Sequence, residues 1–195
     1  MGLFKFLKKR FLNIIGGGKK PSLNIVNLPL KIRQIAQLIQ ETYKPNRRKL
    51  LNNFRLIDEN NNNTIWNHVH YGSILAICGT NSFGDHITNI RRLIGDSSAI
   101  NNRIKNTQEL FNKFKKNRDI STISGHSLGG AVANQLSSLY GITGVLFNPA
   151  ISKISQRCTV YRTLLDPVSI LVKNESRCQS YRGNKLNPHS INNFC

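Results

Sequence analysis

The chain has 195 residues, the size of one ordinary domain, with 39% hydrophobic residues and a mean hydropathy of -0.32. It carries 28 Lys and Arg against 9 Asp and Glu, a formal charge of +19. The composition is too apolar for a disordered chain, and no apolar run approaches the roughly 20 residues that cross a bilayer, so a spanning helix is excluded. Acidic substrates, nucleic acid and anionic membranes all stay open as targets of so basic a protein.

The charge is uneven. Residues 1–50 hold 12 of the basic side chains and a single acidic one, Glu41, for a balance of +11; the remaining 145 residues carry +8. Residues 1–20 read as a unit. At 100° per residue, Leu3, Phe4, Leu7, Phe11, Ile14 and Ile15 share one face of a helix, with Lys5, Lys9 and Asn13 opposite. Gly16-Gly17-Gly18 ends that helix and supplies a joint. A secretory signal is not expected, because Lys8-Lys9-Arg10 interrupts the only candidate apolar stretch. Three roles stay open for residues 1–15: a helix lying on an anionic membrane surface, a terminal helix packed on the domain, or a nucleic-acid arm. The first best suits an ordered apolar stripe, and no specific nucleic-acid partner is expected. The expected organisation is a basic amphipathic helix and hinge over 1–20, then one domain over 21–195.

Further along, the spacing predicts a helix over Leu28–Tyr43, with Ile32, Ile35, Ala36, Ile39 and Tyr43 on one face and Pro45 as its stop. Short strands follow at Phe54–Ile57 and Thr64–Val69, joined by the turn Asn60–Asn63. Ser73–Cys78 reads as a buried strand and Gly79–Ser82 as a loop. Helical spacing returns at residues 85–94 and 101–117. Asp119–Ser124 is a strand, Leu128–Tyr140 a helix ended by Gly141, and residues 143–147 and 158–165 are strands. Strands alternating with helices predict an α/β fold, a mostly parallel sheet covered on both faces.

The four cysteines form no CxxC and no metal-ligand spacing, so free thiols are expected, with Cys158–Cys178 as the first pair to test for a disulfide. His68 and His70 fall two apart on one predicted strand but lack a third ligand. No metal site is expected from these residues.

The strongest chemical signal is Ile123-Ser124-Gly125-His126-Ser127-Leu128-Gly129-Gly130, a GxSxG pattern between a strand and a helix. Such a turn forces Ser127 into strained backbone angles and brings backbones together at Gly125 and Gly129, where side chains would collide. It also puts Ser127 at a helix N-terminus, where free N–H groups favour developing negative charge. A serine hydroxyl needs a base, and the base an orienting acid, in the chain order Ser, Asp or Glu, His. After Ser127 the acidic residues are Asp166 and Glu175, and the one histidine is His189. Asp166 follows a predicted strand, where a carboxylate reaches the sheet edge, and is preferred over Glu175. His189 is then the base. The oxyanion donors are expected at the backbone of Leu128, next to the nucleophile, and of Thr80, in the loop after strand 73–78. His126 is expected to be structural, and Asp85 to support the oxyanion loop.

These segments resemble the class 3 lipases, an α/β-hydrolase family. LAICGTNSFGDHITNI is similar to its oxyanion segment, GHSLGGAVA to its nucleophile elbow, and LLDPVS and NPHSINNF to its acid and base segments. The resemblance covers roughly residues 50–195. It departs at Cys78, where the family has an arginine, and at His86, where it has a tryptophan. It implies hydrolysis of carboxyl esters on lipid or other acyl substrates through an acyl-enzyme, without metal or cofactor, and it supports Thr80 as the oxyanion threonine. Joined to the basic helix, it implies a lipase working peripherally at an anionic membrane, a combination that suits a virus or toxin. Two rival expectations stand beside it: membrane disruption by the helix itself, and an esterase of soluble acyl substrates.

Overall fold

The computed structural model describes residues 23–24, 28–80, 97–116, 119–169, 172 and 176–195. The amphipathic helix expected at 1–15, its glycine joint and the helix expected at 85–94 lie outside the described residues. In chain order the elements are β1 (Leu23–Asn24), α1 (Leu30–Thr42), β2 (Leu50–Leu51), β3 (Phe54–Glu59), β4 (Asn63–His68) and β5 (Gly72–Ile77). Then come α2 (Ser97–Lys115), β6 (Ile120–His126), α3 (Leu128–Tyr140), β7 (Thr143–Phe147), β8 (Cys158–Thr163), β9 (Cys178–Arg182) and a 3-10 turn at Ile191–Phe194. No described helix is long and apolar enough to cross a membrane.

The strands form one sheet in the order β1-β9-β8-β7-β6-β5-β4-β3-β2. From β1 to β5 every neighbouring pair is parallel, and from β5 to β2 every pair is antiparallel. The antiparallel part has short connections with local causes. Asn52 and Asn53 between β2 and β3 both have positive φ, 49° and 65°, the two-residue turn whose twist matches that of the strands. Between β3 and β4, the Asn60 side chain accepts from the N–H groups of Asn62 and Asn63, which makes the predicted Asn60–Asn63 turn. Parallel neighbours instead need crossovers, and α2 and α3 supply those from β5 to β6 and from β6 to β7.

Period-two alternation splits the interior into two layers. Ile65, Leu75, Ile77, Ile123, Leu146 and Val160 face α2 and α3, meeting Phe111, Val132, Ala133 and Leu136. Trp66, Ile74, Ala76, Val145, Phe147 and Tyr161 face the other way and meet Ile35, Ala36, Leu38 and Ile39 of α1, with Ile191 and Phe194 beside them. Each fully buried Leu, Ile or Phe contributes about 1.5–3 kcal/mol, so this double covering is what holds the sheet. The end of α1 is fixed to β4 as well: the Thr42 and Thr64 hydroxyls lie 2.6 Å apart, and Trp66 Nε1 donates to Thr64.

Two expectations change in detail. β9 was not foreseen, because Cys-Gln-Ser-Tyr-Arg carries little apolar signal; Tyr181 alone of its side chains is buried. His70 lies in the turn after β4 and not in the strand; its N–H donates to His68 Nδ1, and the two rings are 5.7 Å apart. Cys158 and Cys178, the pair to test for a disulfide, are not bridged to each other: β9 is offset so that Cys178 pairs with Val160.

Candidate active site

β5 and β6 run in parallel and end together, with Ile77 opposite Gly125. β6 stops at His126 and α3 begins at Leu128, so Ser127 alone makes the turn. Its backbone sits at φ 57° and ψ -123°, a region that costs a non-glycine residue on the order of 1–3 kcal/mol and persists only where surroundings enforce it. They do so here. Ser127 N–H donates to Phe147 C=O at 3.2 Å, and Ser127 C=O accepts from Ala131 and Ala150 at 3.2 and 3.0 Å.

The steric reason for the flanking glycines holds as expected. A Cβ on Gly125 would lie 2.2 Å from Gly129 O, and one on Gly129 would lie 2.4 and 2.5 Å from the carbonyl oxygens of Ile77 and Cys78. The elbow is therefore pressed onto the end of β5. That brings the following loop to the serine: a Cβ on Gly79 would sit 3.0 Å from Ser127 Cβ. Thr80, the expected oxyanion donor, is the next residue and is partly exposed. Leu128 opens α3, so its N–H has no acceptor within the helix. Asp85 and His86 lie outside the described residues.

Sequence reading noted Cys78 where the lipases carry arginine. In the structure an arginine arrives from elsewhere: Arg103 of α2 donates from Nη2 to Cys78 C=O at 2.6 Å. Burial pushes the Cys78 thiol up, which leaves it neutral beside that guanidinium.

Asp166 stands three residues beyond β8, 1% exposed. Its carboxylate accepts three N–H groups: Val168 at 3.1 Å, Ser169 at 2.9 Å and His189 Nδ1 at 2.8 Å. An ionised carboxylate only accepts, so Nδ1 carries the proton and Nε2 its lone pair. His189 Nε2 is buried and makes no hydrogen bond among the described residues. Glu175, the rival acid, lies outside them. A hydroxyl in a strained helix-start turn, an imidazole with an open Nε2 and a buried carboxylate behind it are the parts of nucleophilic acyl transfer.

The loop that carries His189 is held by residues sequence reading missed. Pro188 C=O accepts from Asn148 Nδ2 at 3.1 Å, from Thr163 Oγ1 and from Asn193 Nδ2 at 3.3 Å. Asn148, at φ 40° just after β7, also accepts from Thr163 N–H at 2.8 Å. Asn is among the few residues that tolerate such a φ, and an Asn-Pro step after a strand was the available signal. His126 has more partners than a structural elbow residue needs. Its ring lies 4.8 Å from that of His189, its Nε2 is 2.7 Å from His189 C=O, and its Nδ1 is 2.7 Å from the Tyr43 hydroxyl. Helical spacing marks Tyr43 only as part of the core face of α1. Among the described residues no group of His, Cys, Asp and Glu is placed to hold a metal ion.

The model of an uncharacterised protein family (UPF0227) matches residues 85–161, a stretch that contains Ser127 and ends before Asp166 and His189. That family is one of esterase-like α/β-hydrolases, in agreement with the fold seen here. The match spans under half of the chain. It is not a match to the class 3 lipases, whose resemblance rests on the sequence motifs alone. No curated protein matches the chain.

Proposed function

We propose that the protein is a serine esterase whose nucleophile, base and acid are Ser127, His189 and Asp166. The observation that carries this is the buried Asp166 carboxylate on His189 Nδ1, which leaves Nε2 open as a base at the sheet edge where β6 ends in the Ser127 elbow. The similarity to esterase-like hydrolases over residues 85–161 supports the same reaction class.

Ser127 Oγ attacks the ester carbonyl while His189 Nε2 takes its proton. The carbonyl oxygen becomes negative, and the N–H groups of Thr80 and Leu128 receive it. The carbon–oxygen bond to the alcohol breaks as His189 returns the proton to that oxygen, leaving an acyl group on Ser127. Water, deprotonated by the same imidazole, releases the acid. Asp166 keeps the proton on Nδ1 and stabilises the imidazolium formed at each stage.

The substrate we assign is a lipid ester, triacylglycerol or phospholipid, met at an anionic membrane surface. The lipase-like motifs favour it, as does the +11 concentrated in residues 1–50 with the amphipathic pattern at 1–15. The test is a panel of triacylglycerol, anionic phospholipid vesicles and p-nitrophenyl butyrate, assayed with wild type and Ser127→Ala. Serine-dependent release from vesicles above that from the soluble ester supports the lipid assignment. Serine-dependent hydrolysis of the soluble ester alone replaces it with a soluble acyl substrate. Equal rates for wild type and Ser127→Ala across the panel overturn the esterase.

A further inference from the structure

Three hydrogen bonds of one length run in series through the elbow. Gly79 N–H donates to the Tyr43 hydroxyl at 2.7 Å, that hydroxyl lies 2.7 Å from His126 Nδ1, and His126 Nε2 lies 2.7 Å from His189 C=O. We propose that Tyr43 and His126 are positioning residues that lock the oxyanion loop and the backbone of the base to each other across the nucleophile elbow. This rests on the esterase assignment above.

Proton counting fixes the direction of the chain. A phenol has one hydrogen to give, and burial pushes the Tyr43 hydroxyl well above its ordinary pKa, so that hydrogen is retained. His189 C=O can only accept, so His126 Nε2 carries the proton; in the neutral imidazole Nδ1 is then an acceptor, and the Tyr43 hydroxyl, which accepts from Gly79 N–H, gives its own hydrogen to Nδ1. Every donor then meets an acceptor from Gly79 to His189. The opposite tautomer would leave an acceptor facing an acceptor at His189.

The placement suits the task. Tyr43 caps α1, whose last turn is tied to β4 through Thr42 and Thr64, so its hydroxyl is offered from a fixed frame. Gly79 packs on Ser127 Cβ and His126 precedes Ser127, so both ends of the chain flank the nucleophile. His189 becomes held at three points: its side chain by Asp166, the preceding carbonyl by Asn148 and Asn193, and its own carbonyl by His126. Removing one hydroxyl should disturb the oxyanion loop, which it contacts at Gly79, and also the base, which it reaches only through His126.

The experiment compares wild type, Ser127→Ala and Tyr43→Phe by kinetics on p-nitrophenyl butyrate and by imidazole 15N NMR of His126 and His189. We expect wild-type His126 to be the Nε2–H tautomer. Tyr43→Phe should lose about tenfold in kcat with KM within twofold, and should shift the His189 ring signals. A His126 proton on Nδ1 in the wild type overturns the relay, whatever the variant's folding. A Tyr43→Phe kcat within twofold of a Ser127-dependent wild-type rate overturns the positioning role and leaves the esterase standing. A wild-type rate equal to that of Ser127→Ala overturns the esterase, and the positioning role with it.

Discussion

Replacing Asp166 with Asn separates geometry from charge at the base. The carboxyl is buried and serves three N–H groups through two acceptor oxygens. With the amide oxygen in the Oδ1 position, His189 and Val168 keep their acceptor, but the amide NH2 confronts Ser169 N–H at 2.9 Å. Turned over, the oxygen serves Ser169 while the NH2 confronts Val168 N–H and forces His189 to carry its proton on Nε2. Each orientation leaves one buried N–H facing a donor, a cost of about 1–3 kcal/mol. For a chain of this size that lowers the melting temperature by about 2–4 °C per kcal/mol. Catalysis suffers far more, because the imidazolium of the transition state loses its counter-charge. The same change in a Ser-His-Asp protease costs roughly 10,000-fold in kcat, about 5.5 kcal/mol at 1.4 per decade. The assay is kcat on p-nitrophenyl butyrate at pH 7, with the folded fraction read by circular dichroism at the same temperature. A folded Asp166→Asn protein that keeps kcat within tenfold of wild type refutes the assigned role.

Gly129→Ala should lose about 2 kcal/mol, since the new methyl meets two backbone oxygens that cannot rotate away; a thermal melt within 1 °C of wild type would count against the tight elbow. Asn148→Ala should cost about 1–3 kcal/mol, because it frees Thr163 N–H, removes a donor to Pro188 and forces Ala to φ 40°, whereas Asn148→Gly should recover the φ part alone; denaturant titration distinguishes them. Glu59 bears on pH: its hydrogen bond from Arg47, aided by Lys49, holds its carboxyl below the ordinary 4.5. A depressed folded pKa gives stability that is present above 4.5 and lost as pH falls through the folded value. Glu59→Gln should therefore flatten the loss of stability below about pH 4.5, while costing no more than about 1 kcal/mol at pH 7 because the pair is partly exposed. Stability curves of equal steepness for wild type and variant would contradict this.

Local chemistry made much of the molecule legible in the sequence. GxSxG predicts its own strained turn, since only a bare backbone fits where α3 crosses β5. The short continuous apolar run in Ser73–Cys78 marked a buried strand. Leu128–Tyr140 ends at Gly141 as expected, because a left-handed cap at φ 68° calls for glycine. Asp166 and His189 were reachable by elimination, since so few acids and histidines follow Ser127. Tertiary structure decided what has no local period. β9 is a strand because β8 offers a parallel edge, although its own sequence is mostly polar. Arg103 reaches Cys78 C=O from 25 residues away. Tyr43 looked like a core residue because Ile39 and Tyr43 share a helix face, and spacing along a helix says nothing about what meets a hydroxyl at its tip. That partner, His126, stands 83 residues later, and the His189 carbonyl beyond it 63 residues further. Hydrogen bonds between such distant groups exist only once the sheet has stacked β5 beside β6 and packed α1 over them. The charge of +19 remains a property of sequence and motivates the proposed membrane surface, while the proposed reaction class rests on the buried groups around Ser127, Asp166 and His189.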